Sequence, residues 1–143
     1  MSDIAQGVSM NERQRMIARA CLEGADRNSM TFPQIVGTLI DAGFEGYAVD
    51  FRRATATYHL PDGDSLELPA RAVSTPVAPA FDAARLQAAI RDAQQLVPGY
   101  SYRGFCETAA SAGCAAYIVS FSGRRALYIG RDAEIHVERF PDQ

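Results

Sequence analysis

Tyr47-Ala48-Val49-Asp50-Phe51-Arg52-Arg53-Ala54-Thr55-Ala56-Thr57-Tyr58-His59 and, about 70 positions later, Tyr117-Ile118-Val119-Ser120-Phe121-Ser122-Gly123-Arg124-Arg125-Ala126-Leu127-Tyr128-Ile129 are two versions of one pattern. In each, one set of alternate positions is aromatic, aliphatic or Ala and recurs at period two, the mark of a half-buried strand, and the alternation restarts after a short polar break. With Arg52-Arg53 and Ser122-Gly123 as two-residue loops, Tyr47 faces Tyr58, Val49 faces Ala56 and Tyr117 faces Tyr128. Two different sequences thus predict one register, and Gly123 supplies the residue suited to positive φ.

The correspondence extends outward. Thr38, Ala42, Gly43, Tyr47, Val49, Phe51, Ala56, Tyr58 and Asp62 recur as Thr108, Ala112, Gly113, Tyr117, Val119, Phe121, Ala126, Tyr128 and Asp132. Upstream of the first strand, Thr31-Phe32-Pro33-Gln34 predicts a helix start with Thr31 as cap and Gln34 closing a capping box. That helix turns Phe32, Ile35, Val36, Leu39 and Ile40 inward and stops at Gly43; Ser101 caps its counterpart, which ends at Gly113. Asn11 to Gly24 predicts another helix, as does Asp82 to about Val97 with Leu86, Ile90 and Leu96 on one side. Downstream, Pro61-Asp62-Gly63 turns the chain into a third strand with Leu66 and Leu68 inward, and strands are expected near 115–121, 125–130 and 134–139.

Each half therefore reads as helix, helix and three-stranded meander: repeat 1 at about 9–69, an Ala- and Pro-rich extended connector at 70–81, and repeat 2 at about 82–140. A unit of about 70 residues is marginal alone, so the copies are expected to share one core in a single pseudo-symmetric domain spanning 1–143. The fold class is α+β, a tandem duplication giving about six antiparallel strands with helices mainly on one face. The opposite face is expected to carry Asp50, Thr55, Thr57, His59 and Glu67 in the first half, and Ile118, Ser120, Leu127, Ile129 and His136 in the second.

Composition narrows the function. The chain of 143 residues is 48% hydrophobic and 22% charged, a normal globular balance, with a formal net charge of −3. Scattered basic residues give no phosphate-tracking field, so no nucleic-acid partner is expected. No apolar run reaches a membrane span, and Met1-Ser2-Asp3-Ile4 lacks a basic start followed by an apolar stretch, so no membrane association and a cytoplasmic address are expected. Cys21, Cys106 and Cys114 show no CxxC spacing and read as buried free thiols. Cys114 stands where the first half has Phe44.

Tyr102-Arg103-Gly104-Phe105-Cys106-Glu107-Thr108-Ala109-Ala110-Ser111-Ala112-Gly113, followed by Tyr117-Ile118-Val119 and Ala126-Leu127-Tyr128-Ile129-Gly130-Arg131-Asp132, resembles the YdfO-like family of small bacterial and prophage proteins. That family is of unknown function, and its members are often labelled phage envelope proteins. The resemblance covers about 40 C-terminal residues closely and implies a fold and a cytoplasmic setting, with no catalytic residues to transfer.

Strand alternation puts His59 on one face with Asp50 and Thr57, with Glu67 on the neighbouring strand. An imidazole beside two carboxylates is a candidate general base or ligand-binding group, weighed against an ordinary exposed strand histidine. Tyr47, Tyr58, Tyr117 and Tyr128 form a duplicated quartet, suited to lining a pocket or to plain core packing. No metal site and no cofactor are expected, and GxGxxG, P-loop, HExxH and GxSxG patterns are missing from the sequence. The reading is a non-enzymatic binding or protein-interaction module. It leaves open a homodimer through the apolar second-half face and a small-molecule or protein ligand. The alternatives are an enzyme using His59 with Asp50 or Glu67, and a phage-related structural protein.

Overall fold

Asn11 opens the first helix with a complete capping box: its side chain accepts from the Gln14 amide at 2.7 Å while the Gln14 side chain accepts from the Asn11 amide at 3.0 Å. The computed structural model describes residues 10–141, so the expectation drawn from Met1-Ser2-Asp3-Ile4 lies outside the described residues. Helix α1 spans Glu12–Asp26 and does not stop at Gly24. There the missing side chain leaves room for Met30, which folds back over the helix.

Helix α2 spans Phe32–Asp41 with the expected Thr31/Gln34 capping box and Pro33 in its first turn. Ile35 and Leu39 are buried, whereas Ile40 is 48% exposed and departs from the inward set, one turn-step too far round the helix. Helix α3, Ala83–Gln95, is capped by Asp82 and buries Leu86 and Ile90. Leu96, expected inward, instead ends this helix in a left-handed conformation at φ 50° and is half exposed. Helix α4, Tyr102–Ser111, starts at Ser101, whose hydroxyl accepts from the Gly104 amide at 3.0 Å.

The strands are β1 Gly46–Asp50, β2 Thr55–His59, β3 Ser65–Pro69, β4 Cys114–Ser120, β5 Arg125–Gly130 and β6 Ile135–Arg139. They form one open antiparallel sheet in the order β3-β2-β1-β4-β5-β6, so the two meanders meet where β1 pairs with β4. With four helices among the described residues, this is an α+β fold. The tyrosine register holds on both sides: Tyr47 pairs with Tyr58, Val49 with Ala56, and Tyr117 with Tyr128.

The hairpin loops differ from their expected form. Phe51 to Ala54 and Phe121 to Arg124 are four-residue turns, and the positive φ falls on Ala54 at 55° and Arg124 at 51°, not on Gly123. A side chain at the end of each preceding strand satisfies the turn. Asp50 accepts from the amides of Arg52 and Arg53 at 2.9 and 3.0 Å, and the Ser120 hydroxyl accepts from Gly123 at 3.0 Å.

The core lies between helices and sheet, with Leu39, Leu86, Val119, Cys21 and Cys114 sealed within it. His136 does not join the open face. It pairs with Tyr128, whose ring is inward, so the phase of β6 after the Arg131–Glu134 turn puts His136 and Glu138 on the helix side. Ile135 and Val137 turn outward instead, at 60% and 45% exposure, beside Ile118 at 44%. The connector is extended, yet it packs: Ala78 donates to the Ala110 carbonyl at 3.0 Å and Asp82 to the Ala112 carbonyl at 2.7 Å. No helix among the described residues is long and apolar enough to cross a membrane.

Candidate tyrosine-lined binding site

Four tyrosine rings cross the centre of the sheet on its helix side. Tyr58 and Tyr47 stack with centroids 5.5 Å apart, Tyr47 meets Tyr117 edge-on at 6.2 Å, and Tyr117 meets Tyr128 at 5.3 Å. The row exists because two cross-strand tyrosine pairs are brought side by side by the β1–β4 pairing. Separations in this range favour aromatic contact.

Above this row the two helix pairs leave a cavity of about 160 Å³. All four helices contribute, with Cys21 from α1, Ile35 from α2, Ile90 from α3 and Phe105 from α4, and the floor is Tyr47, Tyr58, Tyr117 and Tyr128. Tyr100 and Tyr102 complete the lining, so all six tyrosines of the chain face this one space. The exposed lining residues Asn28, Pro33, Gln94 and Arg139 mark where it reaches the surface.

The six phenols, the Glu138 carboxylate and the exposed Asn28, Gln94 and Arg139 are the polar groups of the lining. The hydroxyls of Tyr102 and Tyr117 hydrogen-bond at 2.7 Å. Among the described residues no sealed side-chain nitrogen or oxygen lacks a partner, so every other tyrosine hydroxyl either bonds to protein or reaches accessible space. Burial raises the pKa of each of these phenols, that of Tyr100 to about 12 and those of Tyr47, Tyr58, Tyr102, Tyr117 and Tyr128 further. Burial also pushes the Cys106 thiol up to about 12 and those of Cys21 and Cys114 up to about 11. At neutral pH the phenols are therefore neutral donors and acceptors, and Cys21, the cysteine of the lining, is a thiol and not a thiolate.

A larger, charged cleft of about 380 Å³ adjoins the cavity and shares Leu22, Val49 and Tyr102 with it. Its charges hold the connector. Arg71 grips Asp26 with two bonds, at 2.7 and 3.2 Å, and Arg103 lies 3.7 Å from the same carboxylate. The Arg71 hydrogen bond, helped by the surrounding arginines, lowers the Asp26 pKa. Glu107 accepts from the amides of Ser74 and Thr75 at 2.8 and 3.0 Å and from the Ser74 hydroxyl at 3.0 Å. Those bonds, the Ser74 amide first, bring its pKa down to about 2.

The polar candidates on the open face are less closely grouped. His59 ends β2 opposite Gly46 and Ser65, while Asp50 lies opposite Thr55 at the other end of the hairpin. Four strand positions separate them along the register, roughly 13 Å at the usual rise. The Asp50 carboxylate serves the turn described above, and Glu67 reaches Arg53 at 3.7 Å. Of the residues singled out from the sequence, the four tyrosines line one cavity, Asp50 lies at the far end of the hairpin from His59, and Glu67, opposite Thr57, is diagonal to His59. Among the described residues, no cluster of three or more His, Cys, Asp or Glu is placed to hold a metal ion.

Sequence reading missed Tyr100, Tyr102 and Phe105 as lining residues. Tyr102 and Phe105 stand at the positions of Phe32 and Ile35 in the other half, which was a usable signal. Tyr100 sits in a loop with no period to read. Residues 21–139 match the family described as "Protein of unknown function (DUF1398)". No curated protein matches the chain.

Proposed function

The chain belongs to the DUF1398 family, and we propose that it is a non-enzymatic binding protein whose tyrosine-lined cavity holds a small, benzene-sized ligand bearing one hydrogen-bonding group. The observation that carries this is the cavity itself, whose volume of about 160 Å³ is lined mainly by aromatic and aliphatic side chains, with phenol hydroxyls among them, and reaches the surface. An engineered apolar cavity of about 150 Å³ is large enough to bind benzene. Preformed apolar concavities with a few placed polar groups are the usual form of small-molecule sites. A ring seated on the tyrosine row gains aromatic contact, and a hydroxyl on that ring finds the Tyr102–Tyr117 pair within reach.

Binding without chemistry is favoured because the Cys21 thiol of the lining is protonated, the phenols are neutral, and Glu138, the carboxylate of the lining, is hydrogen-bonded to His136 at 3.1 Å. The repeated residues and the tyrosine pair present in both halves support descent from one duplicated segment and a single pseudo-symmetric domain. The C-terminal residues quoted above support a place in the YdfO-like group, with the cytoplasmic, prophage-related setting that goes with it.

Calorimetric unfolding tests the binding reading. Phenol and benzene are expected to raise Tm saturably. Ala93→Leu, which fills the cavity from α3 at a half-buried helical position, is expected to unfold cooperatively and lose that response. An unchanged Tm with both compounds, or an equal shift in the variant, contradicts the proposal.

A further inference from the structure

Two strands end the sheet, and they are protected unequally. β3 closes on Pro69, which has no N–H to offer, and presents Glu67 outward. β6 contains neither Pro nor Lys and exposes Ile135 and Val137. An edge of that kind is a template for a further strand.

The order of side chains in β6 indicates which strand. Ile135-His136-Val137-Glu138-Arg139 is complementary to itself when read in the opposite direction. In an antiparallel pair centred on Val137, His136 stands opposite Glu138 of the second copy, Glu138 opposite its His136, and Val137 opposite its Val137. Ile135 meets the aliphatic stem of Arg139 from the other chain, which covers the most exposed apolar residue of the strand. Directly opposed side chains on an antiparallel pair lie within contact distance, and opposite charges there are stabilising.

We propose that this chain forms a homodimer by antiparallel pairing of two β6 strands about Val137. The contact is isologous, so each favourable pairing occurs twice. Opposed residues share a face, so the helices of both copies lie on one side and the two six-stranded sheets join into one. His136 and Glu138 already lie 3.1 Å apart within one strand, and in the dimer imidazoles and carboxylates alternate around the axis. On the open side the row Ile118, Leu127 and Val137 continues across the axis into the same row of the second copy. Five residues a side make a small interface, below the ~1,200 Å² of stable complexes, so association is expected to depend on concentration. Glu138 and Arg139 also line the cavity, so dimerisation is read without added phenol or benzene.

Sedimentation velocity of the full chain from micromolar to millimolar concentration reads the result. Monomer is expected to give way to dimer, His136→Glu to weaken the dimer about tenfold by opposing like charges twice, and His136→Glu with Glu138→Lys to restore it. Val137→Cys is expected to form a covalent dimer on oxidation that the wild type does not, because Cys21, Cys106 and Cys114 are buried. Circular dichroism of each variant confirms that it is folded. A monomer at every concentration overturns the proposal, as does a dimer that ignores His136→Glu and fails to cross-link through Val137→Cys.

Discussion

The hydroxyls of Tyr102 and Tyr117 lie 2.7 Å apart and tie helix α4 to strand β4 across the cavity. Neither phenol ionises near neutral pH, so this is a neutral bond, worth about 0.5–1.5 kcal/mol net. Tyr102→Phe and Tyr117→Phe are each expected to lower unfolding free energy by about 1 kcal/mol. The double variant should cost less than the sum, with a coupling of the same size, because the second change removes a group already without its partner. Urea unfolding of the four proteins gives the coupling; strict additivity would show that the two hydroxyls do not act together.

Glu107 gives the connector a pH dependence. Its carboxyl is held at about 2 in the folded protein against an ordinary value of 4.5. A depressed carboxylate contributes stability that is full above the unfolded value and disappears as pH falls through the folded one. The Tm difference between the wild type and Glu107→Gln is therefore expected to be constant above about pH 5.5 and to close toward pH 2. A difference that does not change across that window contradicts the assignment.

Gly113 and Gly43 occupy matching positions at the ends of α4 and α2, with φ of 92° and 99°. Alanine is strained at both, by roughly 1–2 kcal/mol. At Gly113 an added methyl would also overlap the Ala80 carbonyl, whereas at Gly43 it meets only the end of the Gln14 side chain. Chemical unfolding is expected to rank Gly113→Ala as clearly the more damaging. Equal losses would mean that the connector does not press on this turn.

The three thiols are expected to be slow toward a disulfide reagent in the native state and to react fully once the chain is unfolded, since burial both protonates and hides them. Rapid native titration of Cys21 would contradict its burial in the cavity wall and reopen nucleophilic chemistry at this site.

The β1–β2 and β4–β5 registers were legible because the same alternation is written twice with different residues, which leaves little room for a one-residue slip. The Thr31/Gln34 capping box was legible because those residues carry their own local chemistry, whereas the Asn11/Gln14 box was not read. The face of His136 was not, since a turn that precedes a strand sets its phase and the Arg131–Glu134 turn has no residue that reveals it. Positive φ at Ala54 and Arg124 was equally hidden, because the constraint comes from closing the hairpin and not from the residue. The tyrosine quartet was visible as a group, but the cavity above it depends on how far α1 and α4 stand apart, which no short-range pattern encodes. Whether such a group packs or lines a space is decided by tertiary volume.

Because all six tyrosines line the cavity, their ring signals form a complete report on its occupancy. A nuclear magnetic resonance titration of ring-labelled tyrosines with phenol is the most direct test. The expected result is saturable displacement of the Tyr47, Tyr58, Tyr100, Tyr102, Tyr117 and Tyr128 signals with a single dissociation constant, abolished by Ala93→Leu. Tyrosine signals that stay fixed while phenol is raised to its solubility limit would show that the space above the tyrosine row is a packing defect and not a binding site.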